Sequence, residues 1–331
     1  MPIERPRCLR ELSVWLAGSD ELAASLRTVC EVNVLHPADW HERLQDAHAS
    51  FLLVEGNNAA EARWETELDR LLEACEGAGI PRLLWFTSSP TGPRLLARCG
   101  RFDQVLAAER WQVPELEAAK AAEPTTLWPA TALPIDGAAG DRSDPVVWLG
   151  GWSRDWPADW QERLASVLRG ASQRGLRIVP VADLDGLPGD LQECVDTGEP
   201  RDPRAAMRRA KVVIGADPVV GSSTFVPAVV FDAAACGAAV LTPHDFVTIH
   251  EMAVGKVAEG TWRNMVPIVH DGEITVEELD RLLDDEQYRI EVVGHMGRIV
   301  ANNHTYAHRV ATLASAARYS VVYDAVEPVA V

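Results

Sequence analysis

Residues 221–243 read G-S-S-T-F-V-P-A-V-V-F-D-A-A-A-C-G-A-A-V-L-T-P, and the rest of the chain is best understood outward from them. A small polar turn, Gly221-Ser222-Ser223-Thr224, comes first. Pro227 then marks a helix start, the alanine-rich run 231–236 carries the helix and Gly237 closes it. Proline lacks the N–H that a first helical turn leaves unpaired, and glycine accepts the left-handed turn after the last one. An apolar strand, 239–241, follows, so the stretch is half of a repeating strand–helix unit and points to a parallel sheet. A helix that opens on Ser, Thr and Gly presents unpaired N–H groups and the positive end of its dipole, which favours phosphate. Asp232, one to two turns in, is then placed to accept from sugar hydroxyls. The same residues also serve as an ordinary cap followed by a solvated acid, and the stretch alone leaves both readings open.

The alternation extends in both directions. Upstream in the same half come a strand over 146–149 ending at Gly150-Gly151, a helix over 159–170, a strand over 176–181, an irregular acidic segment over 183–202, a short helix over 204–210 and a strand over 211–215. Downstream are a last strand over 265–269 and helices near 275–284, 286–301 and 305–318. The first half repeats the pattern. A strand over 12–18 ends at Gly18, and Ser19 caps a helix with Leu22, Leu26 and Val29 on its apolar side. Strands over 31–35, 51–54, 82–86 and 104–107 alternate with helices over 39–47, 60–76, 94–99 and 114–121, and an extended segment covers 126–133. Between Pro134 and Pro145 the run I-D-G-A-A-G-D-R-S-D has no periodicity and reads as the linker. The expected organisation is two Rossmann-like domains, 1–135 and 145–303, with a C-terminal helix and tail, 304–331, returning toward the first.

At 331 residues, two domains of about 150 residues fit the length. A net charge of −18 disfavours a nucleic-acid backbone or an anionic membrane surface as partner. No apolar run is long enough to span a bilayer, and the arginines at 5, 7 and 10 precede no signal-like segment, so the expected location is cytoplasmic. Six cysteines without a C-x-x-C pair suggest neither a zinc site nor a disulfide framework, and read as buried free thiols.

Candidate chemistry gathers at strand ends, where open α/β sheets place ligands. Gly150-Gly151-Trp152-Ser153-Arg154 offers backbone amides and a guanidinium to a diphosphate, but lacks the full G-x-G-x-x-G, so a structural turn is an equal reading. Trp148, Trp152, Trp156 and Trp160 form a cluster that packs or stacks on a ring. Glu55, just past a strand, is a candidate acid or base, with a surface carboxylate as the alternative. His304 and His308, with Tyr306 and Arg309, have a spacing that suits metal on one helix face, but packing is the favoured reading because no third ligand is evident. His244, Asp245 and His250 carry no assignment.

Several of these pieces together resemble the glycosyltransferase-like proteins of the spore-maturation CgeB type. The central stretch resembles that family's donor-site helix. Phe51-Leu-Leu-Val-Glu-Gly56 with Trp64 resembles its early strand ending in Glu, Ile80–Phe86 and Phe102–Leu106 its next two strands, and His304-Thr-Tyr-Ala-His-Arg309 a C-terminal signature. The resemblance implies a GT-B fold, α/β with two Rossmann-like domains facing each other across a cleft. It implies transfer of a sugar from a nucleotide-diphosphate sugar to a hydroxyl-bearing acceptor, with retention, without a metal and with no cofactor beyond the donor. Gly150, Gly151, Arg154, Gly221, Ser222, Ser223, Thr224 and Asp232 would then bind the donor, and Glu55, Gly18 and Ser19 would face the acceptor. Two departures stand out. Ala228 and Val229 occupy the places of a family Arg-Arg pair, and Trp85-Phe-Thr-Ser-Ser-Pro90 lacks a family acidic pair. Lost cations weaken diphosphate binding, so a non-catalytic scaffold that binds a nucleotide sugar or a partner is the alternative.

Overall fold

A computed structural model describes residues 7–46, 48–57, 62–87, 92–132, 142–198, 202–216, 226–244, 266–319 and 321–322. The chain divides into two compact units, Met1–Ala132 with Thr305–Glu327, and Leu133–His304 with Pro328–Val331. Most of the expected linker, 133–141, lies outside the described residues.

The first unit begins with β1 (Arg7–Cys8) and continues through β2 (Ser13–Ala17), α1 (Asp20–Arg27), β3 (Glu31–Val34), α2 (Trp40–Asp46) and β4 (Phe51–Gly56). It goes on through α3 (Leu68–Gly77), β5 (Arg82–Phe86), α4 (Pro93–Leu96), β6 (Gln104–Ala107), α5 (Val113–Ala118) and β7 (Thr125–Thr126). Six of these strands form one parallel sheet in the order β3-β2-β4-β5-β6-β7. All six residues of β4 are buried, as expected of a parallel strand covered on both faces. Ser19 caps α1, its Oγ accepting the Leu22 N–H at 3.2 Å. Within the helix expected over 60–76, residues 62–63 and Leu68–Gly77 are helical and a turn over 64–67 separates them.

The second unit runs β8 (Asp144–Trp152), α6 (Ala158–Ser172), β9 (Leu176–Leu184), α7 (Pro203–Arg209), β10 (Ala210–Ile214), α8 (Ala228–Ala235), β11 (Ala239–Leu241), α9 (Gly272–Asp284) and α10 (Glu286–Asn303). Its strands are also parallel, in the order β11-β10-β8-β9. Of the last expected strand, 265–269, the described residues form one isolated bridge, Ile268 with Thr242, just past β11. Gly150 and Gly151 sit inside β8, which runs on to Trp152 through an irregularity, rather than in a turn beyond it. Pro227 is the N-cap of α8, and Gly237, at φ +72°, follows its C-cap.

Helix α11 (Tyr306–Ala316) belongs to the first unit. Its residues Ala307, Val310, Leu313, Ala314 and Ala317 share one face and join the core of Leu9, Leu12, Leu22 and Leu26. Its start is fastened to the segment after β7. The Tyr306 N–H donates to the Thr131 carbonyl at 3.0 Å, and buried Arg309 donates to the carbonyls of Trp128 and Pro129, each at 2.7 Å. His304 and His308 do not share a helix face. His304 is the C-cap of α10 and lies beside Phe231, ring centroids 5.0 Å apart, whereas His308 closes a capping box with Thr305 at the start of α11. The chain ends the unit with β12 (Val321–Val322), paired to β1. None of the six cysteines forms a disulfide. Cys8 and Cys194 are only half-buried, while burial pushes the Cys30, Cys75 and Cys99 thiols up to about 12.

Because α11 supplies core to a unit whose strands are more than 170 residues earlier in the chain (Thr131 to Thr305), trimming it strikes the first unit directly. Leu313, 1% exposed, is the clearest point. Leu313→Ala is expected to destabilise the chain by about 2–5 kcal/mol, read from the denaturant midpoint. An unchanged midpoint would mean that the helix only rests on the surface.

Candidate functional site

Both sheets reverse their strand order once, and that reversal is where ligands bind in open parallel sheets. In the first sheet, β3 lies on one side of β2 and β4 on the other, and in the second, β9 lies on one side of β8 and β10 on the other. At those strand ends stand Gly18-Ser19 beside Glu55 in one unit, and Gly150-Gly151, still inside β8, with Ala216, past β10, in the other.

In the second unit this point opens into a cavity of about 290 Å³. Strand β8 lines it with Trp148, Leu149, Gly150 and Gly151, α6 with Trp160 and Leu164, and α8 with Ala228, Val229 and Asp232. The three α8 residues fall on one face because they are one and four positions apart, while Val230, Phe231 and Ala233–Ala235 are buried. Among the described lining residues Asp232 is the one carboxylate, and none carries a cation. The two glycines have packing reasons of their own. A Cβ on Gly150 would stand 2.4 Å from the Trp148 ring, and one on Gly151 would stand 2.7 Å from the Ala182 Cβ. Trp148 also meets Trp152 edge-on at 6.5 Å, and Trp152 tilts against Trp156 at 5.6 Å. The indole N–H groups of Trp148, Trp152 and Trp160 are buried without a partner among the described residues.

Two further contacts hold these walls. Arg142 donates to the carbonyls of Arg208, Ala210 and Cys236 at 2.7 to 3.3 Å, tying the C-terminal ends of α7 and α8 together, and its burial lowers its pKa. Trp160 stacks on buried His244, ring centroids 4.5 Å apart, at the end of β11.

In the first unit, Glu55 lies within β4 and is 5% exposed, neither past the strand nor on the surface. Its Oε2 accepts the Ser19 backbone N–H at 2.6 Å and its Oε1 accepts the Thr87 hydroxyl at 3.0 Å. Gly18 is required for that approach, since a Cβ there would stand 2.9 Å from the Glu55 Cβ and Oε2. The Gly18 carbonyl in turn accepts from Arg63 at 3.2 Å.

Of the residues singled out in the sequence, Gly150, Gly151 and Asp232 meet in one cavity, and Gly18, Ser19 and Glu55 meet in the other unit. Arg154 does not join the lining. Its side chain is 73% exposed and pairs with Asp185 at 3.2 Å. Gly221, Ser222, Ser223 and Thr224 lie outside the described residues, as do Asp245 and His250. The first turn of α8 is Ala228-Val229-Val230, so the polar turn precedes the helix instead of building its first turn. Ala216, Met207 and Pro203 line the cavity without having been singled out. For Ala216 the signal was present, as it stands two residues past a parallel strand. Among the described residues there is no group of three or more potential metal ligands, and no helix long and apolar enough to cross a membrane.

Residues 183–315 match the family model described as glycosyl transferase-like. No curated protein matches the chain by sequence. Among solved structures, the chain is similar to Anabaena HepE in complex with UDP and glucose, at 13% identity and a TM-score of 0.57, covering 92% of this chain and 100% of that one. HepE in complex with UDP-glucose matches at 14% identity and a TM-score of 0.55, covering 92% and 91%. A T4 phage BGT mutant in complex with UDP-glucose matches at 10% identity and a TM-score of 0.52, covering 94% and 99%. These likenesses establish the fold class as GT-B, α/β with two Rossmann-like domains.

The Gly150 contact makes a direct test of the cavity wall. Gly150→Ala forces a methyl into the Trp148 ring, with an expected cost of about 1–3 kcal/mol and a changed tryptophan emission spectrum. A variant as stable as the parent with an identical spectrum would show that the ring does not lie on this glycine.

Proposed function

We propose that the protein is a glycosyltransferase that moves a sugar from a nucleotide-diphosphate sugar to a hydroxyl-bearing acceptor. The observation that carries this reading is the cavity at the strand-order reversal of the second unit, where Gly150, Gly151 and Asp232 meet. The glycosyl transferase-like match covers Asp232 and the helix around it, and the GT-B fold supplies the setting. In the reaction the acceptor oxygen bonds to the anomeric carbon as the bond to the nucleoside diphosphate breaks, and the acceptor proton leaves to a base. Asp232 accepts hydrogen bonds from donor hydroxyls. Glu55, with Gly18 and Ser19, serves the acceptor side, either as that base or by holding the loop after β2 in shape. Retention of configuration and independence of metal are the finer features that the family resemblance adds. Product stereochemistry by NMR and turnover after chelation test them.

A thermal-shift panel of nucleotide sugars is the first measurement, since a ligand at about 100 times its Kd adds roughly 2.7 kcal/mol to stability. At least one member is expected to raise the Tm, and a panel with no effect would remove the donor reading. Asp232→Ala removes a charge-assisted hydrogen bond of about 1.5–3 kcal/mol, so Kd for the best donor is expected to rise at least tenfold with the fold retained. A loss under threefold would count against the assignment. Glu55→Gln separates the two roles of Glu55, because the amide oxygen still accepts from Ser19. As the base, Glu55 is worth about a hundredfold or more in kcat. A variant that keeps both its Tm and its turnover would leave Glu55 only the holding role.

A further inference from the structure

We infer, resting on the acceptor-side reading above, that the acceptor is a saccharide and that Trp111 is the platform on which one of its rings lies. Trp111 is 65% exposed, and it is the only exposed tryptophan among the described residues. An indole left in water forgoes a large gain from burial. The backbone beneath the ring is pinned. Trp111 is the middle residue of a single turn, Arg110–Gln112, that follows β6. Gln112, 4% exposed, reaches back across this turn. Its Oε1 accepts the N–H groups of Ala108 at 2.8 Å and Glu109 at 3.3 Å, and its own N–H donates to the Glu109 carbonyl at 3.3 Å. A ring displayed on a fixed backbone loses little freedom when a ligand covers it, which is what makes rigid aromatic side chains effective anchors.

The ring stands at the edge of the first sheet where polar groups gather. Leu106 of β6 pairs with Trp85 of β5, and Trp85 with Glu55 of β4, so the three form one row across adjacent strands. Beyond that row, at the C-terminal edge, come Thr87 after β5 and Trp111 after β6. Strands β4 and β6 lie about 10 Å apart, twice the spacing of neighbouring strands, which is the scale of two joined sugar rings. Each Glu55 oxygen accepts one hydrogen bond from the described residues, Oε2 from the Ser19 N–H and Oε1 from the Thr87 hydroxyl, and a carboxylate oxygen can accept two. Half-buried Thr87, having donated to Glu55, keeps lone pairs of its own for a sugar hydroxyl. A saccharide complements both kinds of group, with C–H faces for the indole and hydroxyls for the acceptors. A wholly apolar ligand would cover the ring and leave those acceptors unmatched.

The test is an array of immobilised mono- and oligosaccharides probed with the full chain, with and without UDP, followed by titration of the best saccharide. At least one saccharide is expected to be retained. Trp111→Ala should raise its Kd about tenfold, while Trp111→Phe, which keeps a ring, should stay within about threefold of the parent. Ile290→Ala, at an exposed apolar residue of the second unit, should leave the Kd unchanged. Melting curves establish that each variant is folded. Retention of no saccharide, or a rise under about threefold in folded Trp111→Ala, would overturn the inference. A dimeric parent that becomes monomeric on Trp111→Ala would overturn it too, by assigning the ring to a second copy of the chain. None of these outcomes touches the donor reading, which stands or falls with the nucleotide-sugar panel.

Discussion

Strand β8 hydrogen-bonds to β9 along one edge and to β10 along the other, with Trp148 opposite Ile178 on the first side and opposite Ile214 on the second. Parallel neighbours cannot be joined by a tight turn, so the chain must cross over a face of the sheet each time, in one sense to reach β9 and in the other to reach β10. The two crossovers diverge at the C-terminal end of β8 and leave a crevice between them. The side chains of the candidate site follow from that fork. Trp160 and Leu164 come from the helix of the first crossover, and Ala228, Val229 and Asp232 from the helix beyond β10. The same logic places Glu55 against Gly18 and Ser19 in the first unit, where β2 plays the part of β8.

Two arginines, half-buried Arg142 and buried Arg309, hold this framework by donating to backbone carbonyls. Arg142 gathers carbonyls at the ends of α7 and α8, and Arg309 gathers those of Trp128 and Pro129 ahead of the passage out of the first unit. A guanidinium suits this work because its several N–H groups lie in one plane and satisfy several acceptors at once. Helix C-termini and irregular crossings are the places where carbonyls lack regular partners. The abundant exposed pairs, such as Arg43 with Asp39 or Arg169 with Asp190, contribute little by comparison because water screens them.

Charge is distributed unevenly along the chain. The chain carries 31 basic side chains, yet none occurs between Lys211 and Lys256, the stretch of sequence that includes α8. Helix α8, which is alanine, valine and phenylalanine apart from Asp232, packs on α7, β11 and α10. Its Ala228 and Val229 line the cavity.

Strand–helix alternation, the cap at Ser19 and the αL glycine at 237 were legible in the sequence, because each depends on local periodicity or on one residue's backbone preference. So was the grouping of Gly150, Gly151 and Asp232 as one candidate set, through resemblance and the rule that ligands gather at strand ends. Local reasoning could not place Glu55 inside β4 in contact with the Ser19 N–H, since that depends on β2 and β4 being neighbours 36 residues apart. Nor could it show that Gly150 and Gly151 continue a strand and make room for Trp148 and Ala182, because a glycine pair reads alike in a turn and in a crowded strand. His304 and His308 were separated by a helix break that only the docking of α11 on the first unit's core explains. The sequence by itself determined which elements form and where chemistry gathers along the chain. Tertiary structure alone decided which side chains meet, because in a parallel sheet every meeting is made across a crossover, between residues far apart in sequence.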